Sequence, residues 1–456
     1  MNQWSDSSPK LEQLKGSCDL SELIRFLDLS DREISADHIE QDLPRASLDL
    51  AAAIETIRPM VDRIRTQGAS ALQDIAKEID GIDISPIRVS ESELVDALDN
   101  LDGTLRASLE IAIERVQKVS LDSKPTAFET SLATGARVSQ RWQPIDSVGL
   151  YVPGGKAVYP SSVIMNVVPA QVAGVKNISI ATPGQAAFGG RPHPTVLATA
   201  ALLGVKDVFT IGGPAAVIAF AYGITEIGLS PVQLVTGPGN VYVAAAKRML
   251  RGVIAIDSEA GPTEIMIIAD SSANPDFVAA DLISQAEHDE QAAAVLVTDS
   301  PELIQKVSSA IEQQVVNSAN RARILEALAG QQSALVLVRD LDAAVRVANF
   351  YATEHLSIQT GKNSALLGEI TNAGAIFLGD YSPVSLGDYL AGSNHVLPTG
   401  GQAKFGSGLG VHTFLRAQQV IEYTESALSE VANNVVSIAN SEGLEAHGEA
   451  IKIRFQ

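Results

Sequence analysis

The chain has 456 residues and a formal charge of −21; 46% of it is hydrophobic but only 5% aromatic, and it holds 35 glycines and one cysteine. Such a length exceeds what a single core usually fills, so two or more domains are expected, and usage rich in Ala, Val, Ile and Gly fits helices on parallel strands, an α/β protein, better than a sandwich. Acidity without a Lys/Arg cluster argues against nucleic acid or an anionic membrane as partner, and the lone Cys18 excludes a disulfide framework, a thiolate zinc cluster and thiol catalysis.

The N-terminus lacks the basic-then-apolar pattern of a secretory signal, and no apolar run nears the ~20 residues of a bilayer span, so a soluble cytoplasmic protein is expected. Residues 1–146 read as a mainly helical N-terminal region packing on the second of two following lobes. Ser90 and Glu93 form a capping box before an apolar-periodic run, a longer helix is predicted over 104–119, and the polar stretch 123–143 holds extended pieces and marks a boundary. From Ser147 the texture changes to strand, glycine turn, helix. Buried-strand runs are predicted at 148–152, 178–181, 208–211 and 232–235, with helical patterns at 194–203 and 215–222 between them. A second set follows at 265–269, 293–297, 334–338 and 375–378, separated by helical patterns at 280–287, 301–315 and 341–351. The expected fold is therefore two incomplete Rossmann-like parallel-sheet lobes, 147–264 and 265–405, with a helical tail at 406–456. Ligands are expected in the crevice beyond the carboxyl ends of the strands.

Five of the seven histidines fall within the last 170 or so residues, so their neighbours are what matter. In the segment 280–289, Gln285 and His288 stand three apart and would share one helix face; this is half of a metal site or simply the polar face of a surface helix. Glu354 and His355 adjoin at a predicted element end, either as a water-activating carboxylate beside a general base or as a salt-linked loop pair. Asp388 and His395 lie in a Gly-rich loop, suited to metal or substrate contact or to turn chemistry, and Glu442 and His447 near the C-terminus are weak signals alone. Three glycine loops, Pro153-Gly154-Gly155, Gly237-Pro238-Gly239-Asn240 and Ala260-Gly261-Pro262-Thr263-Glu264, flank strands, but none is a Gly-x-Gly-x-x-Gly fingerprint.

These blocks, in this order and joined by Gly149-Leu150-Tyr151-Val152, Ser284-Gln285-Ala286-Glu287-His288-Asp289, Glu354-His355-Leu356 and Gly392-Ser393-Asn394-His395-Val396-Leu397-Pro398-Thr399, resemble the histidinol dehydrogenase family from about residue 60 onward. The resemblance implies a zinc enzyme, one Zn2+ per subunit, that takes L-histidinol through L-histidinal to L-histidine with two NAD, the last steps of histidine biosynthesis. It implies zinc on Gln285, His288, Asp388 and His447, a set without sulfur that accords with the single cysteine. It further implies Glu354 as activator of water and His355 as base. Thr263, His395 and Glu442, together with His355 and the four zinc ligands, would contact substrate, and Tyr151 and Asn240 would hold NAD.

Zinc with four protein ligands has no free position unless its shell expands, so the metal is expected to position substrate rather than to carry a hydroxide nucleophile. An aldehyde gives up hydride readily only after a nucleophile has added, and with no cysteine in place, water activated by Glu354 is the consistent alternative. Two departures stand out: Ala215 where the family usually has an NAD-contacting Gln, at about 0.5–1.5 kcal/mol for the lost hydrogen bond, and Thr263 where Ser is commoner. The resemblance also implies an intertwined homodimer in which the tail completes the neighbour's site. The competing readings are a same-fold paralogue acting on another small amino alcohol or polyol, a zinc amidohydrolase without NAD, and a non-catalytic binder.

Overall fold

The computed structural model describes residues 23–46, 49–154 and 157–456. Cys18, Gly155 and Lys156 lie outside the described residues. In chain order the strands are β1 (Arg25–Asp28), β2 (Phe128–Ala133), β3 (Ala136–Pro144), β4 (Ser147–Tyr151), β5 (Asn177–Thr182), β6 (Asp207–Thr210), β7 (Leu234–Thr236) and β8 (Ala255–Ile256). They continue with β9 (Glu264–Ala269), β10 (Ala293–Thr298), β11 (Ala334–Leu337), β12 (His355–Gln359), β13 (Ala375–Leu378) and β14 (Leu415–Tyr423).

The first lobe is a five-stranded sheet in the order β6-β5-β4-β7-β8, and the second a six-stranded sheet in the order β1-β11-β10-β9-β12-β13; every pairing in both is parallel. Strands such as β9 and β10 are buried at every residue, which is why they read as unbroken apolar runs. In the first sheet the chain builds outward from β4 through β5 to β6, then returns to place β7 on the other side of β4. That reversal opens a crevice at the carboxyl ends of β4 and β7.

The N-terminal region divides its allegiance, which corrects the expectation that it packs on the second lobe. β1 joins the edge of the second sheet against β11, and helix Ala36–Asp42 packs on helix Leu341–Tyr351. Helix Leu50–Gln67, however, packs on Gly213–Tyr222 and Val241–Leu250, Glu91–Asp99 on Pro194–Leu202, and Gly103–Asp122 on Pro160–Ala173, all helices of the first lobe. The reason is apolar area: Ile57, Val61 and Ile64 close one face of the first sheet with Phe209 and Phe220, while Leu94, Leu109 and Val116 close the other with Ile164 and Val168. The capping box at Ser90 and Glu93 is present, opening helix Glu91–Asp99.

The polar stretch after residue 123 forms β2 and β3, which pair antiparallel with β14 into a separate three-stranded sheet. Beyond β14, helices Glu425–Ser441 and Glu445–Lys452 pack on each other. Val431, Val435, Ile438, Leu444, Ile453 and Phe455 stay exposed on this tail. Among the described residues no helix is long and apolar enough to cross a membrane.

Candidate active site

The chemistry-bearing residues of the second lobe gather at the amino ends of its strands, not the carboxyl ends expected from the sequence. Glu264 begins β9 and His355 begins β12, and the register puts His355 beside Ile265. Helix Leu341–Tyr351 delivers this end: Ala352 adopts the left-handed conformation (φ 53°), so the chain leaves the helix, turns through Thr353 and Glu354, and enters β12 within three residues. A non-glycine residue in that conformation costs on the order of 1 kcal/mol, and here the surrounding burial enforces it.

Glu354 and His355 are both buried, 6% and 4% exposed. Glu354 Oε2 accepts from the Thr263 hydroxyl at 2.5 Å and from the Glu264 N–H at 2.9 Å. Burial pushes its carboxyl up to about 7, against these two donors, which favour the charged form. His355 Nδ1 lies 3.2 Å from the Glu264 carbonyl oxygen. A carbonyl can only accept, so the ring proton sits on Nδ1 and Nε2 keeps its lone pair. Burial pulls this imidazole down to about 4, so it is neutral and basic at physiological pH.

Helix Pro275–Ala286 supplies Gln285 from its last turn. His288 falls in the turn that follows rather than on the same helical face, its N–H bonded to the Gln285 carbonyl oxygen at 3.2 Å. Helix Val384–Tyr389 brings in Asp388. Gln285 is 1% exposed; its amide N–H donates to the Thr263 hydroxyl at 2.6 Å, while its Oε1 is buried without a partner. An amide oxygen left so costs about 1–3 kcal/mol unless something binds it. His288 Nε2 and Asp388 Oδ2 stand 3.7 Å apart, too far for a hydrogen bond and near the spacing of two ligands on one ion. One imidazole nitrogen and two oxygens, one of them orphaned, therefore fit a zinc ion that lacks one further ligand.

His395 is tied to this group from behind. Its Nδ1 donates to the Asp388 carbonyl oxygen at 3.0 Å and its Nε2 accepts from the Ser162 hydroxyl at 3.3 Å, so both ring nitrogens are engaged within the chain. Burial lowers its pKa to about 4. Ser162 belongs to helix Pro160–Ala173, so this contact also joins the two lobes. His447 and Glu442 are exposed on the tail, and no contact ties either to Gln285, His288 or Asp388 among the described residues. Sequence reasoning missed Ser162, Arg45 and the backbone of Glu264, none of which carries a motif signal.

Across the crevice, Tyr151 ends β4 and its hydroxyl accepts from the Gly213 N–H at 3.0 Å; burial pushes that phenol up to about 12. Asn240 caps helix Val241–Leu250, its Oδ1 taking the N–H groups of Tyr242 and Val243. Ala215 lies 4% exposed in the first turn of helix Gly213–Tyr222, packed into the core. Gly237 has φ 113°, and a Cβ there would stand 2.0 Å from the Tyr151 carbonyl oxygen, so only glycine lets these two loops meet. The buried Lys247 fastens the loop, donating to the Gly237 carbonyl and to Asp257 at 2.6 Å each, while Asp257 accepts from the Gly237 N–H at 2.8 Å. These loops lie at the carboxyl ends of β4 and β7, the switch point at which parallel sheets of this kind take dinucleotides.

Two α/β lobes, one with a switch-point crevice and the other with a buried imidazole and carboxylate beside groups able to hold a metal ion, have the make-up of a metal-assisted, nucleotide-dependent dehydrogenase. Comparison narrows the class. Residues 43–455 match the sequence family Histidinol dehydrogenase, and the chain belongs to that family. It is 52% identical over 433 residues to a histidinol dehydrogenase of Leifsonia xyli, covering 95% of this chain and 99% of that one. It is 54% identical over 413 residues to one of Thermobifida fusca, covering 91% and 94%. The crystal structure of histidinol dehydrogenase from Elizabethkingia anophelis superposes with a TM-score of 0.88 at 30% identity, over 95% of this chain and 98% of that one.

Proposed function

We propose that this chain oxidises L-histidinol through L-histidinal to L-histidine, passing four electrons to two NAD, and that Gln285, His288 and Asp388 hold its zinc with His447 of a second copy. The observation that carries the reading is the buried, unpartnered Oε1 of Gln285 beside the His288–Asp388 pair, next to the buried Glu354–His355 couple. When bound, zinc supplies a Lewis-acid anchor that orients the substrate, and NAD in the crevice between β4 and β7 supplies the hydride acceptor.

The chain's own groups then divide the work. In the first oxidation His355 Nε2 takes the hydroxyl proton as hydride leaves the adjoining carbon. In the second, the Glu354 carboxylate takes a proton from water as its oxygen adds to the aldehyde carbon, while the proton His355 gained in the first step passes to the aldehyde oxygen; His355, neutral again, then takes a hydroxyl proton from the hydrate as the second hydride departs. Thr263, whose hydroxyl bridges Gln285 and Glu354, couples the metal side of the site to the water side. Lobes 147–264 and 265–405 would thus hold NAD and metal respectively. Relatives bearing the histidinol dehydrogenase name at about half identity over nearly their whole lengths support histidinol over another small alcohol. A cytoplasmic setting goes with this reading, and cell fractionation checks it.

The test is stoichiometry: purified protein with its metal measured should form about two NADH per histidinol. One NADH per molecule points to an ordinary alcohol dehydrogenase, and none with histidinol refutes the assignment.

A homodimer is supported by the exposed apolar tail and by His447 not joining His288 and Asp388 in a metal-holding group among the described residues of one chain. An apolar face of this kind marks an interaction surface, and a second copy is the partner that brings a His to the shell. Mixing a His355→Ala chain with a His447→Ala chain should restore activity to about a quarter of wild type after subunit exchange, because half the dimers would be hybrids with one intact site of two. A tail serving its own chain would give no recovery.

A further inference from the structure

Both oxidations depend on how Glu354 and His355 stand relative to each other, and one residue reaches both through its backbone. The Glu264 N–H donates to Glu354 Oε2, and the Glu264 carbonyl accepts from His355 Nδ1. The side chain of Glu264 is itself buried and bound: its Oε1 takes the Arg45 Nε–H at 2.6 Å. Arg45 belongs to neither sheet, lying in the connector between helices Ala36–Asp42 and Leu50–Gln67. Its guanidinium also donates to the Tyr351 carbonyl oxygen and stacks 3.9 Å from the centre of the Tyr351 ring. Tyr351 ends the helix that leads through Ala352 and Thr353 to Glu354. One planar fork therefore grips both the segment that leads into the catalytic pair and the residue whose backbone holds its two members.

Stability alone does not account for the pair. Burying an ion pair seldom gains much over apolar packing. What a guanidinium–carboxylate contact does give is direction. We propose that Arg45 and Glu264 form a buried positioning pair that sets the geometry of Glu354 and His355, acting through the backbone rather than on the reacting atoms. The proposal rests on the functional reading above.

The experiment compares Arg45→Ala, Arg45→Lys and Glu264→Gln with wild type, each with zinc content, KM for histidinol and NAD, and kcat for histidinol and histidinal measured separately. Wild type forming two NADH per histidinol sustains the functional reading, and its failure to do so counts against that reading alone. With wild type active, Arg45→Ala should lose about 10- to 100-fold in kcat for both substrates in parallel, as expected for catalytic groups displaced by up to about 1 Å. Zinc content and both KM values should stay within about twofold, and Arg45→Lys should fall between. A cavity of 160 Å³ borders Arg45 and Glu264, so added guanidinium should restore part of the Arg45→Ala activity and none of that lost in Glu264→Gln. Unchanged kcat, losses that follow zinc content or the folded fraction, or a change confined to KM would each overturn the proposal. If Arg45→Ala does not fold, Arg45→Lys and Glu264→Gln decide it on the same readouts.

Discussion

Replacing His355 with Asn should slow the oxidation of histidinol and of histidinal alike, by about 10²- to 10⁴-fold in kcat, the range for loss of a positioned general base. Asn can still donate to the Glu264 carbonyl that now takes the imidazole Nδ1–H, so the buried acceptor keeps a partner and the fold should hold. What disappears is the basic nitrogen, and both steps require a hydroxyl proton to leave as hydride departs. Because burial holds the imidazole near pKa 4, wild type should show no acid limb from this group above about pH 5. Single-turnover NADH formation from each substrate checks the result, and a loss confined to one step would show that His355 is not the common base.

Glu354→Gln should leave histidinol oxidation within a few-fold of wild type and cut histidinal oxidation by about 10²- to 10³-fold. The amide oxygen of Gln can accept the same Thr263 O–H and Glu264 N–H donors, so geometry persists while the ability to take a proton from water is lost. Histidinal should accumulate and the yield should fall from two NADH toward one. Wild type should show the matching pH signature. The active form is the carboxylate, so with burial raising its pKa to about 7, histidinal oxidation rises with pH through an acid limb that histidinol oxidation lacks. Loading the neighbouring site with a divalent cation moves that midpoint down toward the ordinary carboxylate range. Equal losses on both substrates for both variants would sink this division of labour.

What could be read in the sequence follows from burial. Strands β9, β10 and β11 lie inside a sheet covered on both faces, so each appears as an apolar run whose ends match the prediction to within a residue. β1 escaped notice because it is four residues at an edge, with alternate side chains only half-buried. Extended pieces were legible where β2 and β3 lie, but β14 and the sheet's pairing were not: Phe128 and Ile421 sit among exposed positions, and the pairing of residues 136–144 with 415–423 crosses most of the chain. The N-terminal helices announced their apolar faces but not the lobe that those faces cover.

At the site, residue types were legible and addresses were not. Gln285, Glu354, His355 and Asp388 were named, yet the end of the sheet at which they gather was reversed, because the crevice rule describes loops after strands while Glu354 and Thr263 precede theirs. His288 was placed on a helix that stops two residues earlier. Arg45 contributes through geometry alone, and spacing in a sequence carries no trace of a contact 219 positions away.

The hydroxyl of Thr263 stands between an amide that can only give a hydrogen there and a carboxylate oxygen that can only receive one. The relay therefore has a polarity, and that polarity selects atoms. With Thr263 and Glu264 both donating to Oε2, the proton that Glu354 accepts from water must settle on Oε1, so the reacting water belongs on that side of the carboxylate. Turning the Gln285 amide over would set a donor where the cation's ligand belongs and an oxygen against the Thr263 hydroxyl, whose hydrogen is already committed. The single hydroxyl of Thr263 thus orients the Gln285 amide and the Glu354 carboxylate at once, the two groups proposed to hold metal and to activate water.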